Sequence, residues 1–301
     1  MTAEASTNRQ IMYPDALHTA MKTAEDDIEV GVATHDMAVL EGNLGLSPAI
    51  TDKKLQLLIE KNCPSASIAY NRIIDRSTAP IIVLAHHDVY LPQGWDSLLR
   101  ARIAEVSAFD PNWAVIAPFG VGHDFVGYGT VWSSSIGTIV GRVANGPIPV
   151  QTVDELLIVL RRQSGLRFDE TLPGFHLYGT DIVQTALSGG MGAYAMSLPV
   201  VHNDGFKSHL DDSFALAYRH QSRKWRKCLP LYSPTTKISW HMLSLMRSRL
   251  MNLRSKELRH AMAASVQEDP RKYSALCGWG DLTPWQSDTR VGLSNRAALS
   301  G

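Results

Sequence analysis

Ile81-Ile82-Val83-Leu84-Ala85-His86-His87-Asp88-Val89-Tyr90-Leu91-Pro92-Gln93-Gly94-Trp95 is an apolar run that ends in three polar residues and a turn. Ile81 to Ala85 is too short for a solvent-facing helix and has the small and branched side chains of a strand buried on both faces of a parallel sheet. Ligands of open α/β sheets bind beyond the carboxyl ends of the strands, which is where such a strand delivers His86, His87 and Asp88. Pro92 and Gly94 stop it, and Asp96 or Ser97 is placed to cap a helix running through Ile103. A His-Asp pair at a strand end also reads as an ordinary solvated turn, so its meaning depends on what the rest of the chain brings beside it.

Upstream, Ile28 to Thr34 reads as a first strand with His35 and Asp36 at its carboxyl end, on the same rim as Asp88. Met37 to Leu46 and Asp52 to Glu60 carry helical spacing, broken at Ser47-Pro48. Ser65 to Arg76 reads as a helix with a core face of Ala66, Ala69, Ile73 and Ile74; Asn71 fits either its surface or a site. Trp113 to Pro118 is a further strand, and Asp124 to Gly146 reads as loop with a hairpin at Thr138 to Val143. Val153 to Arg162 contains a buried strand entered through Asp154 and Glu155. Phe175 to Asp181 then gathers two aromatics, His176, a glycine and a carboxylate before the helical pattern Ile182 to Ser188. Asp181 stands at the N-cap position, where capping and catalysis each explain a carboxylate. Ala193 to Val201 is a strand ending in His202-Asn203-Asp204, and Asp211 to Arg226 is a charged helix.

Lysine plus arginine equals aspartate plus glutamate at 29 each, so net charge gives no drive toward nucleic acid. Cys63, Cys228 and Cys277 share no zinc or disulfide spacing, which suits a reducing compartment. Residues 1–27 read as a polar extension with a short helix at Ala16 to Ala24 and without the basic-then-apolar order of a signal peptide. No apolar run approaches membrane-spanning length, and the expectation is a soluble cytoplasmic protein. Ile238 to Ala264 is amphipathic, with Met242, Leu245, Met246, Leu250 and Leu253 on one face and many basic residues on the other. Packing on its own domain, on a membrane surface or on a partner, including a second copy, would each use that face. Residues 269–301 are polar with scattered Trp279 and Trp285 and read as a loosely ordered tail.

Six motifs in order resemble the glycosyltransferase family 2-like proteins. They are Asn43-Leu44 with Ser47-Pro48, Ala69-Tyr70-Asn71, the stretch from His86 to Trp95, Phe168-Asp169-Glu170, the segment from Phe175 to Asp181, and His202-Asn203. The resemblance runs from Ile28 to Pro230. It implies a GT-A-like, Rossmann-like α/β fold: a mixed, mostly parallel sheet flanked by helices, over residues 28–235. An amphipathic helical extension, 236–268, and the tail would follow.

The function the resemblance implies is transfer of a sugar, of the hexosyltransferase type, from a nucleotide diphosphate such as a UDP-sugar to a hydroxyl acceptor, with inversion. Such donors leave as diphosphates, so a divalent cation, Mn²⁺ or Mg²⁺, is implied at the leaving group. The D-x-D motif that holds it in the family reads His86, His87, Asp88 here, a departure in its first carboxylate. Asp88 and His202 are the implied metal ligands; His35, Asp36, Asn71, His86 and His87 would lie toward the nucleotide. Asp181 is the implied base, and Asp154, Glu155, His176 and Tyr178 would form the acceptor side. A metal-dependent hydrolase and a non-catalytic nucleotide-sugar-binding module remain the competing readings.

Overall fold

The computed structural model describes residues 27–206, 209–263 and 269–287; the helix expected at Ala16 to Ala24 and residues 288–301 lie outside them. The strands are β1 (Ile28–Thr34), β2 (Gln56–Lys61), β3 (Ile81–His86), β4 (Val89–Tyr90), β5 (Trp113–Ala117), β6 (Phe119–Gly122), β7 (Gly127–Gly129), β8 (Val131–Ser133), β9 (Thr138–Val140), β10 (Ile148–Val153), β11 (Leu157–Arg161), β12 (Gly192–Ala195), β13 (Val200–His202), β14 (Leu231–Tyr232) and β15 (Lys237–Ile238). The helices are α1 (Met37–Gly42), α2 (Pro48–Thr51), α3 (Ala66–Arg76), α4 (Trp95–Phe109), α5 (Tyr178–Ser188), α6 (Asp212–Lys224), α7 (Leu243–Arg254), α8 (Lys256–Met262) and α9 (Pro270–Leu276).

The large sheet runs β2-β1-β3-β11-β5-β12-β10-β6-β7. Strands β1, β2, β3, β5, β6 and β12 point one way, and β7, β10 and β11 point the other. The fold is thus a mixed α/β sheet with most strands in one direction and helices on both faces. Side chains of β3 alternate between those faces. Ile81, Val83 and Ala85 join one core cluster with Trp95, Leu98 and Leu99 of α4, while Ile82 and Leu84 join the other with Tyr70 and Ile73 of α3. Burial on both sides explains a run without polar alternation, each large side chain contributing roughly 1.5–3 kcal/mol. Gly31 allows α3 to lie close on β1, since a Cβ there would stand 2.5 Å from Cγ2 of Ile73.

A second sheet, β4-β13-β8-β9, stands beside the first. The expected strand Ala193 to Val201 is divided between the two, β12 in the large sheet and β13 in the small one. Val153 to Arg162 likewise spans the end of β10, a turn, and β11.

Four other expectations are corrected. None of the second helical pattern, Asp52 to Glu60, is helix: α2 (Pro48–Thr51) occupies the expected break and ends before it, and Gln56–Lys61 is the half-exposed edge strand β2, where polar Gln56, Glu60 and Lys61 mimic helical spacing. Helix α4 is capped by Gly94 in the left-handed region (φ 76°), with Asp96 inside its first turn. The amphipathic run breaks at Ser255 into α7 and α8, and Ile238 belongs to the β14–β15 pair. Residues 269–287 are packed, not loose: Cys277, Trp279 and Leu282 are buried in the α4-side core, and Tyr273 stacks on Trp132 at 5.2 Å. Their apolar residues lack any period because they fill separate holes in an existing surface.

Candidate metal centre

The register of the large sheet pairs Ala33 of β1 with His86 of β3, so the carboxyl ends of the two strands meet. Successive side chains beyond them diverge, as an extended chain requires. His87 turns toward β1, with Nδ1 2.8 Å from Thr34 Oγ1 and its ring 5.2 Å from that of His35. His86 and Asp88 turn the other way. There β4 pairs antiparallel with β13, Val89 opposite His202, and the Asn203 amide donates to the Asp88 carbonyl at 2.8 Å. The pairing sets His202 against Asp88.

One ligand atom from each of His86, Asp88 and His202 lies within 4.8 Å of the other two. Asp88 Oδ1 is 3.3 Å from His202 Nε2 and 4.0 Å from His86 Nδ1. The same buried Oδ1 accepts no hydrogen bond of acceptable direction, so the His202 contact is a charge contact rather than a directed bond. Burial opposes ionisation of Asp88, but His202, His86 and His87 outweigh it and hold the carboxyl well below its usual range. Burial also opposes protonation of His202, yet Asp88 and Asp204 prevail and raise its pKa to about 9. Carboxylate and imidazolium are therefore matched in charge. A divalent cation needs the neutral nitrogen and would take the place of that proton. An under-coordinated buried carboxylate oxygen beside two imidazoles fits such an ion, and the nitrogen share suits Mn²⁺ better than Mg²⁺.

The surroundings orient these groups. Tyr178 donates its only hydroxyl proton to the Glu155 carbonyl at 3.0 Å, while His86 Nε2 lies 2.8 Å from the same hydroxyl. We assign the proton to Nε2 of His86, which turns the Nδ1 lone pair toward Asp88. Asp204, absent from the site read in the sequence, accepts from Ser133 Oγ (3.0 Å) and the Ser135 amide (3.1 Å) and stands 3.9 Å from His202 Nδ1. Asn203 is tied to Asn43 at 2.9 Å and Ser134 at 3.0 Å. The signal for Asp204 lay in the tripeptide His202-Asn203-Asp204, since metal-binding histidines commonly lean on a neighbouring carboxylate.

Asp154 and Glu155 stand on the turn before β11, where the Glu155 carbonyl accepts the Tyr178 hydroxyl that meets His86. The charge of Asp154 contributes to raising the His202 pKa, and its Oδ1 caps the turn at the Leu156 amide at 3.0 Å. Glu155 Oε1 accepts the Gly179 amide in the first turn of α5 at 3.3 Å. A Cβ on Gly179 would sit 2.6 Å from the Val153 carbonyl and 3.3 Å from Glu155 Cγ, so Glu155 lies in the space a side chain there would take.

Asp181 does not come to the centre. Helix α5 begins at Tyr178 with Leu177 as its N-cap, which places Asp181 inside the first turn instead of at the cap. Asp181 is 1% exposed, and its two oxygens accept from Lys224 Nζ and Trp225 Nε1, both at 2.8 Å. A carboxylate so enclosed reaches no acceptor hydroxyl, and the role of base expected for it is withdrawn. Asn71 is likewise occupied, donating to the Phe168 carbonyl and Glu170 and accepting the Phe168 amide, each at 2.9 Å. It holds the 168–170 loop, not a nucleotide. Asp36 caps α1 through the Ala38 and Val39 amides, and His35 is exposed beside it. His176 faces the start of α6, 3.1 Å from Ser213 Oγ.

No family model matches the chain. The protein "ATP synthase subunits region ORF 6" of Fuscovulum blasticum is 26% identical over 170 residues, 54% of this chain and 66% of that protein. Among solved structures, GalNAc-T7 with UDP, GalNAc and Mn²⁺ is 11% identical with a TM-score of 0.42, covering 78% of this chain and 56% of that one. The mannosyltransferase PcManGT from Pyrobaculum calidifontis, with GDP-Man and Mn²⁺, is 13% identical with a TM-score of 0.39, covering 86% and 83%. Glucosyl-3-phosphoglycerate synthase from Mycobacterium tuberculosis, with Mg²⁺ and UDP, is 9% identical with a TM-score of 0.38, covering 70% and 82%. Likenesses this distant assign no activity to this chain.

Proposed function

We propose that this chain is a metal-dependent glycosyltransferase that moves a sugar from a nucleotide-diphosphate donor, a UDP-sugar in the first instance, to a hydroxyl acceptor. The observation that carries the reading is the buried Asp88 Oδ1 without a hydrogen bond, set between His86 and His202 at the carboxyl end of β3. A divalent cation held by these three residues would neutralise the charge that gathers on a diphosphate leaving group. Tyr178 fixes the His86 ring, Asp204 steadies His202, and His87 with His35 flanks the nucleotide side. Glu155 is the base in this reading. Its carboxylate stands at the start of α5, the place expected for Asp181, and inversion needs one carboxylate positioned to take the acceptor proton.

Incubation with a panel of nucleotide sugars and Mn²⁺ tests the function. Acceptor-dependent release of nucleoside diphosphate, abolished by chelation, is the expected result, and Glu155→Gln should lower the rate by about two to four orders of magnitude. Two imidazoles and a carboxylate also suit a hydrolytic centre, which supports one second reading. Release of nucleoside diphosphate at the same rate with and without acceptor would replace the transferase by a hydrolase. Nucleotide binding without consumption would leave a binding module.

A further inference from the structure

Helix α7 is inverted relative to an ordinary surface helix. Leu245 is its buried residue, and the same side carries Ser244 and Ser248, bonded to Ser239 Oγ (2.9 Å) and Thr236 Oγ1 (2.7 Å). Leu243, Met246, Leu250 and Leu253 recur at three- and four-residue spacing and form one stripe, 47–65% exposed. Trp240, 74% exposed, precedes the stripe in the chain, and Leu258 and Met262 of α8, after the break at Ser255, are 66% and 53% exposed. Single exposed apolar residues are ordinary, whereas a contiguous row of them marks a surface with an occupant.

Charge indicates which occupant. The chain as a whole is neutral, yet between Trp240 and Met262 stand Arg247, Arg249, Arg254, Lys256 and Arg259 against the one acidic residue Glu257. Arg249 is engaged by the Asp211 carbonyl and Asp212, at 2.6 and 3.1 Å. Arg247 and Arg254 are exposed, and at 100° per residue they border the apolar stripe. An apolar row edged by basic residues is the pattern of a helix lying in the interface of an anionic bilayer. Two copies meeting through this face would gather both sets of basic residues into one interface, with Glu257 the one acidic residue between Trp240 and Met262 to offset them. No helix among the described residues is long and apolar enough to cross a membrane, so contact would be with the surface.

We propose that α7 and α8 form a docking face for an anionic lipid surface. Helix α8 touches the segment that leaves β13: Arg259 stacks over Phe206 at 5.2 Å and His260 meets the same ring at 5.1 Å, a few residues after His202. Docking therefore bears on the segment that leaves β13. The proposal goes beyond the transferase reading and needs no sugar transfer for its test.

The full chain is floated with vesicles of phosphatidylcholine alone and of phosphatidylcholine with phosphatidylglycerol. Association with the anionic vesicles only, reduced by salt, is the expected result. Met246→Glu with Leu250→Glu should lower it about tenfold or more, as should Arg247→Glu with Arg254→Glu. These positions are exposed, and unchanged far-UV circular dichroism confirms that the variants fold. A wild-type chain that stays in solution with both vesicle types overturns the proposal. A dimer in light scattering that Met246→Glu with Leu250→Glu splits would then give the face to a second copy. Equal binding to both vesicle types overturns the electrostatic half of the argument and with it the anionic partner.

Discussion

Asp181 shows how one residue's environment decides its work. Enclosed by Lys224 and Trp225, its carboxylate serves the packing of the fold. Asp181→Asn should leave turnover within about threefold of wild type, far from the orders of magnitude a base supplies. Its cost should appear in urea unfolding as about 1–3 kcal/mol, because the Lys224 ammonium keeps only Asp169. Tyr178→Phe makes the opposite demand. The ring volume stays, but the hydroxyl that fixes the His86 tautomer goes, and Mn²⁺ affinity in calorimetry should fall about 10–100-fold, as when an outer-shell partner of a metal ligand is removed. An unchanged affinity would mean that His86 does not ligate through Nδ1.

Between elements, Lys224 at the end of α6 bridges Asp181 of α5 and Asp169 of the loop that Asn71 holds. Burial opposes ionisation of Asp169, but Lys224 and Thr171 outweigh it and depress its pKa. A depressed carboxylate stabilises the fold above its unfolded pKa, about 3.9, and loses that contribution as pH falls toward the folded value. Lys224→Met should therefore lower stability at neutral pH and raise the midpoint of acid unfolding, with the difference from wild type shrinking below about pH 4. The bridge was hidden from sequence reading because its partners lie far apart in the chain and nothing local to Asp181 announces Lys224. β3 was legible for the contrary reason, since burial on both faces writes itself into five consecutive apolar residues. His86, Asp88 and His202 were legible as strand ends, which sheet topology then brings together. Glu155 was reachable only as a candidate, because its place against α5 depends on the missing side chain of Gly179.

The segment 269–287 closes the core beside α4 and the small sheet. Trp279 is 2% exposed, and the Leu282 amide donates to the Gln93 carbonyl at 2.8 Å. Trp279→Ala should cost about 3–5 kcal/mol, read as a lower melting temperature of the entire cooperative transition. Loss confined to a separate, earlier transition would mean that the segment is only draped on the core. The two sheets have a further relation through their shared centre. His86 ends a strand of the large sheet, whereas His202 ends a strand of the small one and Asp88 leads into its partner. An ion gripped by all three would act as a rivet between two plates, stiffening the seam where they meet, and any slippage of one plate past the other would register first as a weakened grip on the ion.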